Sequence, residues 1–338
     1  MNKKFGKQTV KFTNGVNILS YASIAGQKEG KGPLAKYYDK VLEDAEWGED
    51  TWEKTESKMQ KTAVARAAEK AAVEIKDIEY LFAGDLLNQC ISSTFGLRDF
   101  GVPFLGVYGA CSTMAETLGL ASVMIDGGFA DMTAAVTSSH FCTAERQYRF
   151  PLEYGGQRPP TAQWTVTGSG AALLSKNGDG PYVTHFTAGR IVDAGVSDAN
   201  NMGAAMAPAA ADTLSAHFRD TERIPQDYDL ILTGDLGKIG KSIAIDMLCE
   251  EGFDMTENYN DCGCMVFDID KQDMHAGGSG CGCGAITLCG YIMDMFRAKK
   301  INNLLFVGTG ALLSPTSSMQ GESIPCVAHA VAISTKGE

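Results

Sequence analysis

The sequence predicts an α/β protein made of two similar halves, and two observations predict it. The segment DIEYLFAGDL at 77–86 returns 150 residues later as DYDLILTGDL at 227–236. In both halves a glycine-containing turn, a helix-favouring run and a further apolar strand follow this segment. A repeated order of elements indicates two related folding units, and apolar strands alternating with helices are typical of sheets covered on both faces. We expect the halves to be 1–178 and 179–338.

The individual elements follow from local pattern. Residues 1–50 carry glycine-rich and acidic patches without clear periodicity, so we expect irregular structure there. The Ala-rich run at 52–73 predicts a long helix by propensity, and the Ala- and Met-rich run at 202–211 predicts a buried one. Three apolar runs predict first-half strands, at 78–83, 104–108 and 134–137.

Composition argues against several classes of partner and location. The chain has 338 residues, with 29 Lys and Arg against 41 Asp and Glu, a net charge of −12. Such a charge argues against non-specific binding to nucleic acid or to anionic membranes. Residues 1–9 are polar and basic, and no run of 18 apolar residues occurs, so we expect no signal peptide and no transmembrane segment. Ten cysteines without a secretory signal suggest reduced thiols in the cytoplasm.

Cys111 is the candidate reactive residue. It lies in GACST at 109–113, between an apolar run and a helix-favouring run, which predicts a thiol at a helix N-terminus. The unpaired N–H groups and the positive end of the helix dipole lower a thiol's pKa there, as a nucleophile requires. The same N–H groups at Cys111 and Ser112 suit a carboxylate ligand. The alternative is that Cys111 is a small buried apolar residue.

The remaining candidates are cysteines, histidines and an arginine, each with an ordinary structural alternative. The C-x-C pairs Cys262/Cys264 and Cys281/Cys283 invite a zinc or iron–sulfur interpretation, but structural zinc sites usually space their ligands more widely. We therefore expect no metal, with Cys281 and Cys283 lining a pocket or packing as thiols. The other candidates are His140, which follows a strand, His329, near the C-terminus, and Arg146, which either binds a carboxylate or forms an ion pair that organises a loop.

Motifs along nearly the whole chain resemble the thiolase superfamily and, more closely, its stage V sporulation protein AD family. The motifs include AGDLLNQ (83–89), GACST (109–113), TSSH (137–140), TVTGSGA (165–171), MAPAAADT (206–213), AGGSGC (276–281) and TGALLSPT (309–316). The resemblance implies a thiolase-like fold: two pseudo-symmetric halves, each with a mixed five-stranded sheet and helices, layered α/β/α/β/α.

The same resemblance implies a function in endospore formation. Family members bind dipicolinic acid (pyridine-2,6-dicarboxylic acid) and help to move it into the developing spore. They act with membrane proteins of the same stage V sporulation A operon, so the resemblance implies a cytoplasmic protein associated peripherally with the inner forespore or spore membrane. A condensing enzyme of the superfamily is the alternative, acting on acyl-CoA or acyl-carrier thioesters through Cys111.

The resemblance also indicates which catalytic groups this chain lacks. Condensing enzymes of the superfamily place a histidine after the first strand of the second half, and a histidine or asparagine in the glycine-rich loop before its second helix. Here the first position carries Asp235, and the loop at 277–281 carries Ser279 and Cys281. An ionised aspartate cannot donate to a thioester oxyanion, and it raises the pKa of a neighbouring thiol. We therefore expect a retained pocket without catalysis.

The expected ligand site draws on both halves. Asp85 and Asp235 end equivalent strands, and we expect both to face one cleft. The expected ligand-binding set is Asp85, Leu86, Cys111, Ser112, His140, Asp235, Ser279, Cys281, Cys283 and His329. Because two acids would repel a dianion, we expect the ligand to enter as its calcium chelate, with the metal bridging carboxylates, and we expect no other cofactor. Relatives dimerise through a first-half strand, and the run 134–139 is the candidate edge.

Overall fold

The computed structural model describes residues 3–148 and 157–337. Within these residues the strands are β1 (Lys4–Phe5), β2 (Thr9–Ala25), β3 (Lys40–Val41), β4 (Tyr80–Gly84), β5 (Phe104–Gly106), β6 (Met132–Ser139), β7 (Trp164–Thr165), β8 (Gly168–Ser175), β9 (Tyr182–Thr187), β10 (Leu230–Thr233), β11 (Tyr259–Asp261), β12 (Gly278–Ser279), β13 (Asn303–Ala311) and β14 (Cys326–Ser334). The α-helices are α1 (Trp52–Ala71), α2 (Ile91–Leu97), α3 (Thr113–Asp126), α4 (Phe141–Tyr148), α5 (Met202–Thr221), α6 (Gly237–Glu250), α7 (Cys281–Ile286), α8 (Met293–Arg297) and α9 (Pro315–Met319).

Ten of these strands form two five-stranded sheets with the same order. The first sheet runs β5-β4-β6-β8-β2 and the second runs β11-β10-β13-β14-β9. In each sheet one strand, β8 or β14, is antiparallel to its two neighbours, and the other pairs are parallel. The sheets join where β2 pairs antiparallel with β9. The division expected between 178 and 179 falls in the link between β8 and β9, and it stays a prediction.

The layers follow the predicted α/β/α/β/α order, and the predicted fold class is confirmed. Helices α3 and α7 lie between the sheets and contact strands of both halves. Helix α1 packs on the outer face of the first sheet and α5 on that of the second, with α2 and α6 against them. Because α3 is covered on both sides, it carries small buried residues; a Cβ at Gly119 would lie 2.4 Å from the Phe186 ring. The fully buried Leu118 belongs to this core, and its truncation to alanine should cost about 2–5 kcal/mol.

The local predictions are confirmed for the helices and strands named above, with one exception. The expectation of irregular structure over 1–50 is wrong for residues 9–25, because β2 is a 17-residue strand that joins the two sheets. Two of its buried polar residues are hydrogen-bonded to distant partners: Thr9 to Asp220, and Ser20 to the Ala67 carbonyl. Buried polar residues interrupt the apolar alternation by which strands are normally recognised. Because their partners are distant in sequence, no local pattern marks these residues as buried.

The predicted pairing edge at 134–139 is also wrong. It falls within β6, which lies inside the first sheet between β4 and β8. The outer edge of that sheet is β5, whose three residues are all exposed. The corresponding edge of the second sheet, β11, has side chains that are buried or half-buried.

Candidate functional site

A cavity of about 240 Å³ lies at the start of α3 and is lined by residues of both halves. Its apolar lining consists of Leu86, Ala110, Ala144, Ala199, Met202, Ala311 and Leu313. Its polar lining consists of Cys111, Glu145, Tyr148, Thr165, Asn200, Ser279 and Ser318. Among the lining residues that the structure describes, none is Lys, Arg or His. The cavity therefore offers mostly neutral donors and acceptors on an apolar wall.

A tight turn before α3 places Cys111 in this cavity. Ala110 adopts a left-handed backbone with φ +48°, a conformation that costs an alanine about 1–3 kcal/mol. Two side-chain hydrogen bonds hold the turn: Ser112 Oγ donates to the Gly109 carbonyl at 2.7 Å, and Thr113 Oγ1 donates to the Ala110 carbonyl at 2.6 Å. Such strain is maintained only where surrounding contacts fix it, and it is concentrated at functional sites.

Asp235 lies directly beside Cys111. It follows β10, is fully buried, and interacts electrostatically with the Cys111 thiol. Its carboxylate accepts hydrogen bonds from Thr309 Oγ1 at 2.7 Å, Gly280 N at 2.8 Å and Ser279 Oγ at 3.1 Å. Three neutral donors thus surround this acid, and they stabilise its charge.

The environment keeps the Cys111 thiol protonated. Burial raises its pKa well above the ordinary value, and the Asp235 carboxylate raises that pKa further. The expectation that the helix N-terminus lowers this pKa is therefore wrong: desolvation and a neighbouring acid outweigh a partial dipole charge. Burial also raises the pKa of Asp235, opposed by its donors. An unperturbed thiol is already a much weaker acid than a carboxyl group, and burial and the neighbouring carboxylate both favour the protonated thiol, so the proton stays on sulfur.

Asp85, the equivalent residue of the first half, does not line the cavity. Its buried carboxylate accepts hydrogen bonds from Leu87 N at 2.9 Å and from Ser93 N and Oγ at 2.8 and 2.6 Å. The expectation that both acids face one cleft is thus wrong for Asp85, whose oxygens are directed to its own loop. Leu86, held by that loop, does line the cavity.

A second buried acid, Glu56 on α1, lies behind this loop. Its carboxylate accepts hydrogen bonds from Ser138 Oγ at 2.9 Å and Thr143 Oγ1 at 2.8 Å. Burial and the nearby Asp85 carboxyl raise the pKa of Glu56 to about 8. Glu56 is therefore protonated at neutral pH, and it connects α1 to α4, the helix that supplies Ala144 and Tyr148 to the cavity.

The other residues of the expected set are divided between the cavity and the core. Ser279 lines the cavity. Cys281 packs in the same small cluster as Leu86, fully buried, and its thiol donates to the Ser138 carbonyl at 2.8 Å. Cys283 is fully buried in the main core, and the Ser112 hydroxyl is directed to the Gly109 carbonyl. Neither Ser112 nor Cys283 lines the cavity.

The two candidate histidines lie away from the cavity. His140 is buried, with Nε2 bonded to the Ala45 carbonyl at 2.9 Å, and it lines a separate, smaller cavity. His329 Nδ1 accepts a hydrogen bond from Gly189 N at 3.2 Å, and burial lowers the pKa of His329 to about 4. Neither histidine therefore lines the cavity at Cys111, and each ring has a structural partner elsewhere. Arg146 forms an ion pair with Glu53, the structural alternative considered for it.

Several lining residues carried no signal in the sequence. Tyr148 donates to the Leu86 carbonyl at 2.6 Å and contacts the Tyr108 hydroxyl at 3.0 Å. Asn200 and Met202 come from the segment before and at the start of α5, and Ser318 comes from α9. Among the lining residues outside the expected set, Ala110, Thr165, Ala311 and Leu313 do lie in motifs that suggested the fold. These residues meet through long-range packing, which no local pattern records.

Neither a metal centre nor a membrane-spanning helix is found in the described part of the chain. Within 3–148 and 157–337, no group of three or more His, Cys, Asp or Glu side chains is placed to hold a metal ion. In the same residues, no helix combines the length and apolar character that crossing a bilayer requires.

Two solved structures superpose on this chain over nearly their whole length. OleA of Xanthomonas campestris, solved with cerulenin bound, superposes with a TM-score of 0.64 at 15% identity over 96% of this chain and 98% of its own. The 3-oxoacyl-(acyl carrier protein) synthase III of Pseudomonas aeruginosa PAO1 superposes with a TM-score of 0.58 at 12% identity, covering 95% and 98%. At these identities the likeness establishes the thiolase-like fold alone.

Sequence comparison gives the family. A curated relative, stage V sporulation protein AD of Bacillus subtilis (strain 168), is 45% identical over 335 residues, which cover 99% of each chain. The profile of the stage V sporulation protein AD family matches residues 6–334. The chain therefore belongs to the stage V sporulation protein AD family, a family of sporulation proteins, here with a thiolase-like fold.

Proposed function

We propose that this chain is a non-catalytic thiolase-like protein that binds dipicolinic acid in the cavity at Cys111 and supports its transport into the developing spore. One observation carries the non-catalytic part. The buried Asp235 carboxylate raises the pKa of the Cys111 thiol, and it stands at the position where a condensing enzyme needs a histidine. A thiol held protonated beside an acid is a poor nucleophile but a usable hydrogen-bond donor.

The cavity suits a small aromatic dicarboxylate. A cavity of about 150 Å³ is enough to hold benzene, so a volume of about 240 Å³ can hold a ring with two small substituents. Leu86, Met202 and Leu313 offer an apolar surface to the ring. Hydroxyl and amide groups of Thr165, Asn200, Ser279 and Ser318 can donate to carboxylate oxygens.

The charge of the lining favours the calcium chelate over the free dianion. The described lining includes Glu145 and none of the basic side chains that usually hold a carboxylate. A neutral one-to-one chelate avoids the cost of placing two negative charges there. The carboxylates of Asp85 and Asp235 already accept several hydrogen bonds, so in this proposal calcium remains with the ligand's own oxygens and with oxygens of the lining.

Calorimetry tests whether dipicolinate binds in the cavity at Cys111 and whether it binds as the calcium chelate. Dipicolinate titrated with calcium present should bind more tightly than dipicolinate titrated with a chelator such as EDTA. Cys111→Ala should weaken binding about tenfold, because it removes a donor and leaves a gap in the wall. Cys249→Ala, which changes an exposed cysteine, is the matched control and should bind as the parent does. Unchanged affinity in Cys111→Ala would place the ligand elsewhere.

A second candidate function is acyl transfer, because the strained turn at Ala110 still places a thiol in a cavity. The protein would be incubated with an acyl-CoA, and its intact mass measured. We expect no adduct, since acyl transfer requires a thiolate and an oxyanion donor. An adduct that is lost in Cys111→Ala would replace the binding proposal with this one.

We further propose that the protein acts at the cytoplasmic surface of the inner forespore or spore membrane, with the membrane proteins of its operon. The family membership supports this proposal. Co-flotation with vesicles that carry those proteins tests it, and vesicles without them are the control. Equal flotation in both cases, or none in either, would exclude such a complex.

We also propose that two copies pair through β5. Three exposed apolar side chains lie on this strand or just after it: Phe104 (40% exposed), Leu105 (42%) and Tyr108 (43%). An antiparallel pair of identical edge strands is self-complementary about a two-fold axis, and it covers an edge that would otherwise aggregate. The covered edge at β11 explains why the second half would not pair in the same way.

A further inference from the structure

Gln163 connects the two loops that form the second-half side of the cavity. Its side-chain amide donates to the Asp235 carbonyl and to the Gly278 carbonyl, both at 2.7 Å. The residue is 5% exposed. Its amide oxygen is buried and has no hydrogen-bond partner, so the described contacts of this side chain are the two carbonyls. Gln163 precedes β7 and belongs by sequence to the first half.

The backbone next to Gln163 already holds the glycine-rich loop. Strand β7 pairs in parallel with β12, and Val166 N donates to the Ser279 carbonyl at 2.8 Å. Trp164 N donates to the Gly277 carbonyl at 2.9 Å. Among these contacts of the segment, the Gln163 amide is the one that also reaches the loop of Asp235.

The relative position of the two loops decides how Asp235 meets Cys111. The Asp235 carboxylate accepts hydrogen bonds from Ser279 and Gly280 of the glycine-rich loop, and it acts electrostatically on the Cys111 thiol. The loops approach closely: a Cβ at Gly237 would lie 2.4 Å from the Ala276 carbonyl oxygen. A shift of either loop would therefore change the distance from the carboxylate to the thiol.

We propose that Gln163 is a positioning residue for the ligand site: its amide fixes the spacing between the Asp235 loop and the Ser279 loop, and through it the contact between Asp235 and Cys111. The ligand readout of this inference rests on the proposed binding function, whereas its thiol readout does not. The inference predicts that loss of the amide releases Cys111 from Asp235 without removing any group that touches the ligand.

The chain offers a matched control. Asn258 Nδ2 also donates to two carbonyls, those of Pro225 and Tyr228, both at 2.7 Å, and its amide oxygen is likewise buried without a partner. It lies outside the cavity lining. Gln163→Met and Asn258→Leu each remove one such amide while keeping most of the volume, so both should lower the unfolding midpoint in urea to a similar extent.

The experiment compares the pH profile of Cys111 alkylation by iodoacetamide in the two variants and the parent, each also carrying Cys249→Ala to lower the background. Mass spectrometry of the Cys111 peptide gives the rate. In Gln163→Met the profile should move to lower pH, with a rate about tenfold higher at about pH 8, because the acid that raises the thiol's pKa is displaced. Dipicolinate affinity should fall about tenfold in the same variant. Asn258→Leu should change neither.

Profiles that coincide for Gln163→Met and Asn258→Leu would overturn the positioning role, whether or not dipicolinate binds. A shifted profile in a protein whose parent does not bind dipicolinate would uphold the positioning role and reject the proposed function. If Gln163→Met does not fold, Gln163→Glu replaces it, since its carboxylate has the same shape and cannot donate to two carbonyls. Loss of folding in both variants, with Asn258→Leu folded, would assign Gln163 to folding alone and overturn the proposal.

Discussion

Asp85 and Asp235 end equivalent strands of the two halves, yet they do different work. Asp85 accepts hydrogen bonds from Leu87 and Ser93 and fixes its own loop. Asp235 faces Cys111, and its donors come from three other elements. The repeat supplied the same residue at the same place, and the neighbours of each copy decide whether it supports a loop or forms the ligand site.

Asp261 explains how the second half can use its aspartate differently. Its buried carboxylate accepts hydrogen bonds from Leu236 N at 2.8 Å and Gly237 N at 2.9 Å. It thus holds the turn after β10, the task that Asp85 performs after β4. Because a separate acid holds this turn, Asp235 is available to the cavity. Burial raises the pKa of Asp261 to about 7, despite the hydroxyl of Thr233 and these N–H donors.

The outer edge strands, β5 and β11, also differ between the two halves. The largest expected effect of a substitution follows from this difference. Leu105→Lys places a charge on β5 and should convert a dimer to a monomer completely, because a charged side chain on an edge strand opposes pairing. Sedimentation velocity would show it. Ile224→Lys, which changes an exposed apolar residue of the second half, is the control and should leave the assembly unchanged. A parent protein that is already monomeric would remove the proposed interface.

The next prediction separates the two aspartates by their effect on the thiol. Asp235→Asn removes the charge beside Cys111 and should lower the pKa of Cys111, so that its alkylation at about pH 8 becomes about tenfold faster or more. Asp85→Asn should leave the rate within about twofold, because its carboxylate is not in contact with the sulfur. Equal acceleration by both substitutions would mean that the two halves act on Cys111 alike.

Much of the fold could be predicted from the sequence, because the repeat and the apolar strands β4, β6 and β10 are local signals. Strand β2 could not, since its buried polar residues are satisfied by partners such as Asp220 and the Ala67 carbonyl. The edge was misassigned for a related reason. An apolar run such as 134–139 indicates burial, but its position within the sheet depends on pairing order, which is non-local.

The site was predicted as far as the motifs reach. Cys111, Leu86 and Ser279 line the cavity, and Asp235 lies directly behind it. His140 and His329 were included for their chemistry alone, and buried histidines are frequently structural. The pKa of Cys111 shows a further limit: the resemblance already indicates Asp235 as an acid neighbour, whereas the burial of the thiol, which raises this pKa most, is set by tertiary structure.

The free energy of unfolding should also distinguish the two aspartates, and here the predicted effect is that of Asp85. Asp85→Ala leaves the buried donors of Leu87 and Ser93 without their acceptor and should lower the free energy of unfolding by about 4 kcal/mol. Because the loop carries Leu86, dipicolinate binding should weaken as well. Urea unfolding followed by circular dichroism measures the first effect. A loss below about 1 kcal/mol would mean that this loop is held by other contacts.

The last prediction is a pH dependence of stability that arises in the first half. The pKa of Glu56 is about 8 when folded and near 4.3 when unfolded, so between these values the folded state keeps a proton that the unfolded state has lost. The stability from this group is complete below the unfolded pKa and falls as pH rises towards the folded one. Between about pH 5 and pH 7 the parent should therefore lose about 2 kcal/mol more than Glu56→Gln, whose amide stays neutral.

Urea unfolding at several pH values gives the slope of the unfolding free energy against pH, for the parent and for Glu56→Gln. The hydroxyls of Ser138 and Thr143 oppose the rise in the pKa of Glu56, and Asp85 promotes it, so Asp85→Asn should reduce the slope of the parent as well. Glu69→Gln changes an exposed residue of the same helix and should leave the parent's slope unaltered. Parallel curves for the parent and Glu56→Gln would mean that Glu56 is ionised in the folded protein, and that the first half holds two charges behind the cavity wall.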